Sequence, residues 1–219
     1  MARPTGLKSV EEMFSRFNVS RESSANLRIY VELLLKWQKR INLIGPSTID
    51  EVWQRHIEDA LVLADIVPNN ARVLVDLGRG AGIPGLVYAI ACGHERGFDM
   101  HLVESNGKKA AFLREAVRLT GAKAKLHHKR LEEAADDIAA LGPDVVLARA
   151  LAPLENLLEL AEPYLAAGAI GLFHKGQDVD TELTAATKYW NIDARKHMIG
   201  ADSVSCILEI REISRVARL

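Results

Sequence analysis

Aromatic residues and cysteine are scarce in this sequence of 219 residues. Phe, Trp and Tyr make up 5% of the chain, so its core has to be built mainly from aliphatic side chains, as in sheets covered by helices. The two cysteines, Cys92 and Cys206, lie far apart and form no Cys-x-x-Cys motif. This excludes a disulfide-rich scaffold and argues against a zinc centre, and we predict no metal site.

Long apolar runs are also missing. No uncharged apolar stretch approaches the roughly 20 residues that a membrane helix needs, and Met1–Thr5 does not open a basic-then-apolar leader. Hydrophobic residues nevertheless make up 48% of the chain and charged residues 26%, which is typical of a globular protein with a sizeable core. We therefore expect a cytoplasmic protein without membrane contact, and a monomer as the simplest state.

The net charge of −1 is too small to indicate a polyanionic partner, but the charges are segregated along the chain. Between Ser105 and Arg130 the only acid is Glu115, and the next stretch, Glu132 to Asp144, holds five acids and no base. Two interpretations stay open: a solvated helix face beside an acidic neighbour, or a contact surface for RNA. The basic residues and histidines of the first stretch are Lys108, Lys109, Arg114, Arg118, Lys123, Lys125, His127, His128, Lys129 and Arg130.

The first 68 residues are predicted to be all helical. Ser20 is a candidate N-cap for a long helix whose apolar residues recur every three to four positions. Thr48 and Glu51 fit a capping box that would begin a second helix. We therefore predict an N-terminal helical extension over residues 1–68, packed as one unit with a second domain over residues 69–219.

From residue 69 onwards, short apolar runs alternate with segments of helical periodicity. This alternation indicates right-handed β-α-β units and a sheet that is buried on both faces. The last two runs, joined by Gly200-Ala-Asp, indicate a C-terminal antiparallel hairpin. We therefore predict an α/β fold with a mostly parallel seven-stranded sheet. The predicted strands are residues 72–77, 100–104, 124–127, 144–148, 169–173, 191–199 and 204–213, and the predicted helices are 84–92, 108–119, 131–140 and 154–166.

A glycine-rich turn follows the first predicted strand, in the segment Asp76-Leu-Gly-Arg-Gly-Ala-Gly-Ile-Pro-Gly85. Such turns let the backbone approach a ligand where the next helix opens its positive end. Two patterns fit: G-x-G-x-x-G of dinucleotide sites, from Gly80, and acid-x-G-x-G-x-G of S-adenosylmethionine-dependent methyltransferases, from Asp76. The carboxylate of Asp76 favours the second pattern, because it would repel a pyrophosphate but could serve a positively charged methionine end.

Glu104 ends the second predicted strand. Its carboxylate could accept hydrogen bonds from both ribose hydroxyls of the cofactor, as acids do at this place in nucleotide-binding folds. The alternative is a surface acid at a strand end. An NAD-dependent oxidoreductase is the least favoured enzyme class.

Six short motifs stand in order along the chain. They are Trp37-Gln-Lys-Arg-Ile-Asn-Leu43, Arg55-His-Ile-Glu-Asp59, Asp76-Leu-Gly-Arg-Gly-Ala-Gly-Ile-Pro-Gly85, Arg130-Leu-Glu-Glu133, Ala148-Arg-Ala150 and His174-Lys-Gly176. Together they closely resemble the RsmG (GidB) family of bacterial 16S rRNA guanine-N7 methyltransferases. The resemblance runs from about Leu33 to Gln177 and implies the Rossmann-like class I methyltransferase fold.

The resemblance also implies roles for individual residues. Leu131 and Glu132 would hold the adenine of S-adenosylmethionine, and Gly78 and Ile83 would line its site through the loop. The full set of candidate cofactor-binding residues is Asp76, Gly78, Gly80, Gly82, Ile83, Glu104, Leu131, Glu132 and Arg149.

Three residues are candidates for the catalytic site. Arg149 would reach the methionine end of the cofactor or the incoming guanine, and Lys175 would contact the RNA. His56 and Asp59 share one helical face, so with Asn42 they would shape the mouth of the site. From spacing alone, a hydrogen-bonded helix-packing pair is the favoured interpretation of His56 and Asp59.

The implied reaction moves a methyl group from S-adenosylmethionine to N7 of a guanine in the 530 loop of 16S rRNA, at position 527, and leaves S-adenosylhomocysteine. N7 carries a lone pair and no proton, so the transfer needs alignment rather than a base. The alternatives are a methyltransferase for another RNA or a small molecule, and a catalytically silent RNA-binding protein. The silent RNA-binding protein is considered because of Arg79, which stands where such loops usually have a small residue. This side chain could crowd the cofactor or bind an anionic group.

Overall fold

The computed structural model describes residues 9–78, 80–199 and 205–217. In this part of the chain no helix is both long and apolar enough to cross a membrane. The strands are β1 (Val73–Asp76), β2 (Asp99–Val103), β3 (Ala124–His127), β4 (Val145–Arg149), β5 (Ile170–Lys175), β6 (Trp190–Met198) and β7 (Cys206–Arg215). The helices are α1 (Val10–Arg16), α2 (Arg21–Gln38), α3 (Asp59–Leu61), α4 (Gly85–Arg96), α5 (Gly107–Thr120), α6 (Leu131–Ala139), α7 (Leu154–Leu165) and α8 (Val179–Ala186).

All seven strands belong to one sheet, in the order β3-β2-β1-β4-β5-β7-β6. β1 to β5 are parallel, whereas β7 runs antiparallel to both β5 and β6. This confirms the predicted mostly parallel sheet with a C-terminal antiparallel pair. The strand order changes direction between β1 and β4, and the crevice at the carboxyl ends of such neighbouring strands is where α/β folds bind ligands.

Apolar side chains are buried on both faces of the sheet. One core joins the N-terminal helices and α4 and α5 to the sheet, with Leu27, Leu86 and Phe112 among its buried members. The other core lies beneath α6, α7 and α8, where Leu158 and Phe173 are fully buried. The central strands β1, β4 and β5 are largely apolar because helices cover them on both sides, whereas the edge strands β3 and β6 are partly exposed.

The long N-terminal helix α2 begins as predicted. The Ser20 hydroxyl accepts a hydrogen bond from the backbone N–H of Ser23 at 3.1 Å, which caps the helix. On its buried face, the Tyr30 hydroxyl donates to the carbonyl oxygen of Ala81 at 2.7 Å. The helix therefore holds the glycine-rich turn from outside the sheet.

The predicted capping box at Thr48 and Glu51 is wrong. The Thr48 hydroxyl donates to the carbonyl of Gly45 at 2.8 Å and lies 2.8 Å from His56 Nε2, so it is engaged within its own turn. The following segment is also not one regular helix. It consists of a π-helical turn (Trp53–Glu58), α3 and a 3₁₀ turn (Val62–Asp65).

The short helix α8 was not predicted from the sequence, and α1 was predicted only as part of the N-terminal helical extension, without bounds of its own. α1 begins after Ser9, whose hydroxyl accepts from the N–H of Glu12 at 3.2 Å. α8 has only eight residues, so it shows little periodicity. The predicted connection Gly200-Ala-Asp between the last two strands lies outside the described residues.

The junction between β1 and α4 depends on Asp76. Its Oδ2 accepts a hydrogen bond from the backbone N–H of Gly85 at 2.7 Å, which joins the end of the strand to the first residue of the helix. A Cβ added to Gly85 would stand 2.6 Å from both Oδ2 and Cβ of Asp76. Glycine is therefore required at the start of α4, because any side chain there would clash with Asp76.

Replacing Gly85 by alanine should destabilise the protein by about 1–3 kcal/mol, because the new methyl group overpacks the Asp76 side chain. Gly93→Ala in the same helix is the matched control: its added Cβ meets no atom closer than 3.9 Å. That change should stabilise by about 0.5–1 kcal/mol through helix propensity. Urea unfolding of the two variants measures the difference, and equal stabilities would contradict the packing argument.

Candidate functional site

A cleft of about 740 Å³ opens beside the carboxyl ends of β1 and β2. It brings together four of the candidate cofactor-binding residues: Gly78, Glu104, Leu131 and Glu132. The sequence separates these residues widely, but each follows or ends a strand in the parallel part of the sheet. Parallel strands end at the same edge, so the cleft is the common meeting point of their C-terminal turns.

Asp76 lies buried next to this cleft. Its side chain is 2% exposed, and Oδ1 has no hydrogen-bond partner among the described residues. Burial raises the pKa of this carboxyl from 3.8 to about 6, opposed by the backbone hydrogen bond from Gly85. A Cβ on Gly78 would stand 2.5 Å from Oδ1, so glycine leaves this oxygen its space.

Glu104 holds the glycine-rich turn from the neighbouring strand. Its Oε2 accepts from the N–H of Gly80 at 2.7 Å and its Oε1 accepts from the N–H of Asn106 at 2.6 Å. Gly80 has a φ of +119°, a conformation that side-chain-bearing residues rarely adopt. Glu104 is thus buried and fixed by the backbone, and not the surface acid of the alternative interpretation.

Gly82 and Ile83 support the turn rather than line the cleft. Gly82 has a φ of +73°, and a Cβ there would stand 2.8 Å from Leu86 and Leu113. Ile83 is half-buried and packs against the core on that side of the sheet. Arg79 lies outside the described residues, so its effect stays an open prediction.

Arg149, at the end of β4, joins the sheet to the N-terminal segment. Its Nη2 donates to the carbonyl of Arg55 at 2.7 Å and lies 3.3 Å from Asp59 Oδ2. Its Nη1 is buried without a hydrogen-bond partner in the described residues. The carbonyl of Arg55 belongs to the π-helical turn, and such turns often occur at functional sites.

The two histidines near this junction are neutral at pH 7. Burial, together with Arg149, lowers the pKa of His174 to about 3 and that of His56 to about 4. His174 Nε2 lies 3.1 Å from the carbonyl oxygen of Asp59, and His56 Nε2 contacts Thr48. His56 is in the lining of neither cleft, and its role as a catalytic candidate stays a prediction.

A second, smaller cleft of about 280 Å³ lies at the carboxyl ends of β4 and β5. Lys175 is buried in its wall, with Nζ 2.6 Å from Glu182 Oε2 and 3.1 Å from the carbonyl of Ala152. Arg149 also lines this cleft, not the first one. Glu182 is a site residue that the sequence pattern did not reveal, because the helix that carries it was not predicted.

The thiols and metal ligands offer no alternative chemistry in the described part of the chain. Burial raises the pKa of Cys92 to about 11 and also raises that of Cys206, so both are protonated at neutral pH. Among the described residues, no group of three or more His, Cys, Asp and Glu side chains could hold a metal ion.

The basic stretch forms an exposed surface on α5 and around β3, the edge strand of the sheet. Lys108, Arg114 and Arg118 are exposed on α5, and Lys123 follows the helix. Lys109, Lys129 and Arg130 continue this surface into the lining of the first cleft. The cations thus lie next to the candidate cofactor residues.

Known proteins match this chain over nearly its whole length. A family model described as rRNA small subunit methyltransferase G (GidB) matches residues 23–206. The Ribosomal RNA small subunit methyltransferase G of Paramagnetospirillum magneticum is 47% identical over 205 residues, which cover 94% of this chain and 96% of the relative. The protein of that name from Methylorubrum populi is 47% identical over 212 residues, covering 97% and 98% of the two chains.

Solved structures agree on the fold. Cofactor-bound Rv0187 from MTB aligns with a TM-score of 0.57 at 14% identity, over 85% of this chain and 89% of that one. Precorrin-6y C5,15-methyltransferase from Geobacter metallireducens aligns with a TM-score of 0.51 at 15% identity, over 78% and 91%. The fold is the Rossmann-like class I methyltransferase fold, and by the family match this chain belongs to the rRNA small subunit methyltransferase G family.

Proposed function

We propose that this protein transfers a methyl group from S-adenosylmethionine to N7 of a guanine in small-subunit rRNA. The target implied by the family resemblance is position 527, in the 530 loop of 16S rRNA. The observation that carries the proposal is the Asp76 carboxylate, buried with an unpartnered oxygen under a glycine turn beside the large cleft. A buried anion of this kind suits a cationic ligand.

The residues around the cleft fit S-adenosylmethionine. Its amino and sulfonium groups are cationic, which matches Asp76, and its ribose would meet Glu104. Each oxygen of Glu104 accepts one backbone N–H in the structure, and a carboxylate has lone pairs for further donors. Leu131 and Glu132 would hold the adenine. The volume of about 740 Å³ is that of a typical cofactor pocket.

When bound, S-adenosylmethionine supplies a methyl group on a positively charged sulfur. The task of the protein is then to align a nucleophile that needs no activation and to exclude water. N7 of guanine is such a nucleophile. The neutral His56 and His174 and the protonated thiols of Cys92 and Cys206 agree with a reaction that uses neither a cationic acid nor a covalent cysteine.

Arg149 is proposed to position the reacting groups. Contacts with Arg55 and Asp59 fix its guanidinium, and Nη1 has no bond within the described part of the chain. It could donate to the methionine carboxylate or to the guanine. After β4 the chain continues through Ala150, with a φ of +51°, and lacks the Asn/Asp-Pro-Pro-aromatic turn of many exocyclic-amine methyltransferases.

The substrate is proposed to be the small ribosomal subunit or its 16S rRNA, held by phosphate contacts from the exposed basic surface of α5 and β3. Such contacts position RNA without reading its sequence. A guanine in a loop would be splayed out of its stack to enter the site. Action on bacterial ribosomes would place the protein in the cytoplasm, and its monomeric state stays a prediction.

The direct test is transfer of labelled methyl from S-adenosylmethionine to purified small subunits that lack this modification. Label should appear as 7-methylguanine in the 530 loop. Subunits that already carry the modification are the control and should take up no label. Transfer to another base, or to small molecules of an extract only, would contradict the proposed substrate.

Affinity for S-adenosylmethionine should fall as the pH drops below 6. The pKa of Asp76 in the free protein is about 6, so at pH 5 most of this carboxyl is protonated and no longer attracts a cation. Calorimetric titration between pH 7 and 5 should show weakening of about tenfold, one decade per pH unit below the pKa. The Asp76 carboxyl contributes most to the free energy of unfolding below its ordinary pKa of 3.8, where it is protonated in both states. This contribution is lost as the pH rises through about 6.

Two variants test the assignment to Asp76. Asp76→Asn keeps an oxygen for the Gly85 N–H, so it should fold normally but bind S-adenosylmethionine about 10- to 100-fold more weakly and without this pH dependence. Asp65→Asn, at an exposed carboxylate in a turn, is the matched control and should behave as the wild type. A pH dependence that survives in Asp76→Asn would show that another group is responsible.

Binding of an rRNA fragment with the 530 loop should depend on salt through the basic surface. Lys108→Ala/Arg118→Ala should weaken binding and reduce the slope of log affinity against log salt by about 0.7 for each phosphate that is no longer neutralised. Lys188→Ala/Arg195→Ala, which removes exposed cations near the opposite edge strand, should leave the slope unchanged. Fluorescence anisotropy measures both, and equal slopes would sink the assignment of this surface.

A further inference from the structure

The described residues that line the second cleft carry balanced charges. Two cations and two carboxylates line it, and each cation contacts a carboxylate: Arg149 with Asp59 at 3.3 Å and Lys175 with Glu182 at 2.6 Å. His174, also in the lining, is neutral because its pKa is lowered to about 3. A phosphate gains little in such surroundings. The volume of about 280 Å³ lies at the lower end of ligand pockets, so the cleft suits one neutral ring rather than a long ligand.

Lys175 and Glu182 offer hydrogen-bonding groups side by side in this cleft. Lys175 has three donors and uses two, toward Ala152 and Glu182. Glu182 Oε2 accepts from Lys175 and from the N–H of Leu154 at 2.6 Å, while Oε1 has no bond within the described residues. The Glu182 side chain is 27% exposed. The pair therefore has one donor and one carboxylate oxygen available.

These groups match the Watson–Crick edge of guanine. That edge presents the acceptor O6 followed by the donors N1–H and N2–H, whereas adenine presents a donor and then an acceptor. We infer that Lys175 and Glu182 select guanine as the target base, with Lys175 donating to O6 and Glu182 Oε1 accepting from N1–H and N2–H. The inference rests on the proposed function and adds to it the residues that choose the base.

The position of the second cleft agrees with this role. In the sheet, β4 alone separates β1, with its glycine turn, from β5, which ends at Lys175. N7 is next to O6 on the guanine ring, so a base held through O6 by Lys175 keeps N7 near the ends of β4 and β5. Bases flipped into enzyme sites are commonly read through this edge.

The test combines a base analogue with a variant. Small subunits are reconstituted from 16S rRNA with guanosine or inosine at the position that the wild type methylates. Inosine keeps O6, N1–H and N7 but lacks the N2 amine, so it loses one donor to Glu182. We expect the wild type to prefer guanosine by about tenfold in kcat/KM, the effect of one hydrogen bond to a charged group.

Glu182→Gln should bring the preference for guanosine over inosine close to one. Its amide oxygen would replace Oε2 toward the N–H of Leu154, so the amide NH2 group would face the cleft and could not accept a hydrogen bond from the N2 amine. The matched control is Asp180→Asn on the same helix, whose carboxylate is 76% exposed and pairs with Lys196. It should keep the wild-type preference. Cofactor affinity of both variants should stay near wild type, while Glu182→Gln should unfold at a lower temperature because the buried Lys175 loses its anionic partner.

The outcomes separate the two proposals. A wild-type preference near one overturns the inference without any variant, and so does an equal preference in wild type and Glu182→Gln. Failure of the wild type to methylate the guanosine-containing subunits contradicts the proposed function itself, and the inference falls with it.

Discussion

The buried carboxylate of Asp76 is the constraint on which the candidate site depends. One oxygen holds the first N–H of α4, and the other lies against Gly78 without a partner in the described residues. Both Gly78 and Gly85 have to be glycine because an added Cβ would stand 2.5 or 2.6 Å from this carboxylate. Keeping a charge in this place lowers stability at neutral pH, as its raised pKa indicates. Such a cost is expected where the same charge binds a ligand.

The N-terminal segments complete the site from outside the sheet. Tyr30 holds the glycine turn by a hydrogen bond to Ala81. Arg149, at the end of β4, bonds the carbonyl of Arg55 and the carboxylate of Asp59. His174, in β5, contacts the carbonyl of Asp59. The two clefts differ in character as a result. The described lining of the first cleft holds three cations and three carboxylates, with the buried carboxylate of Asp76 next to it as an additional anion, whereas the described charges of the second cleft occur as two contacting pairs. This division suits a cationic cofactor in one and a neutral base in the other.

Much of the fold and half of the site could be predicted from sequence. The parallel strands were recognised because they are apolar on both faces, and Glu104 was identified because it ends one of them. The capping box at Thr48 failed because its hydroxyl bonds Gly45 and His56 instead of a helix N-terminus. The contact between Thr48 and His56, eight positions apart, is one that helical spacing does not reveal.

The sequence by itself determined the strand–helix alternation, the glycine turn and the acid that precedes it, because these depend on local conformation and on burial patterns within short segments. Tertiary structure alone decided which distant residues meet. Arg149 contacts Asp59, 90 positions away, because β4 ends beside the N-terminal segment. Lys175 contacts Glu182 because α8 folds back over the end of β5. Local patterns carry no information on such contacts, which arise only when the strands assemble in their order.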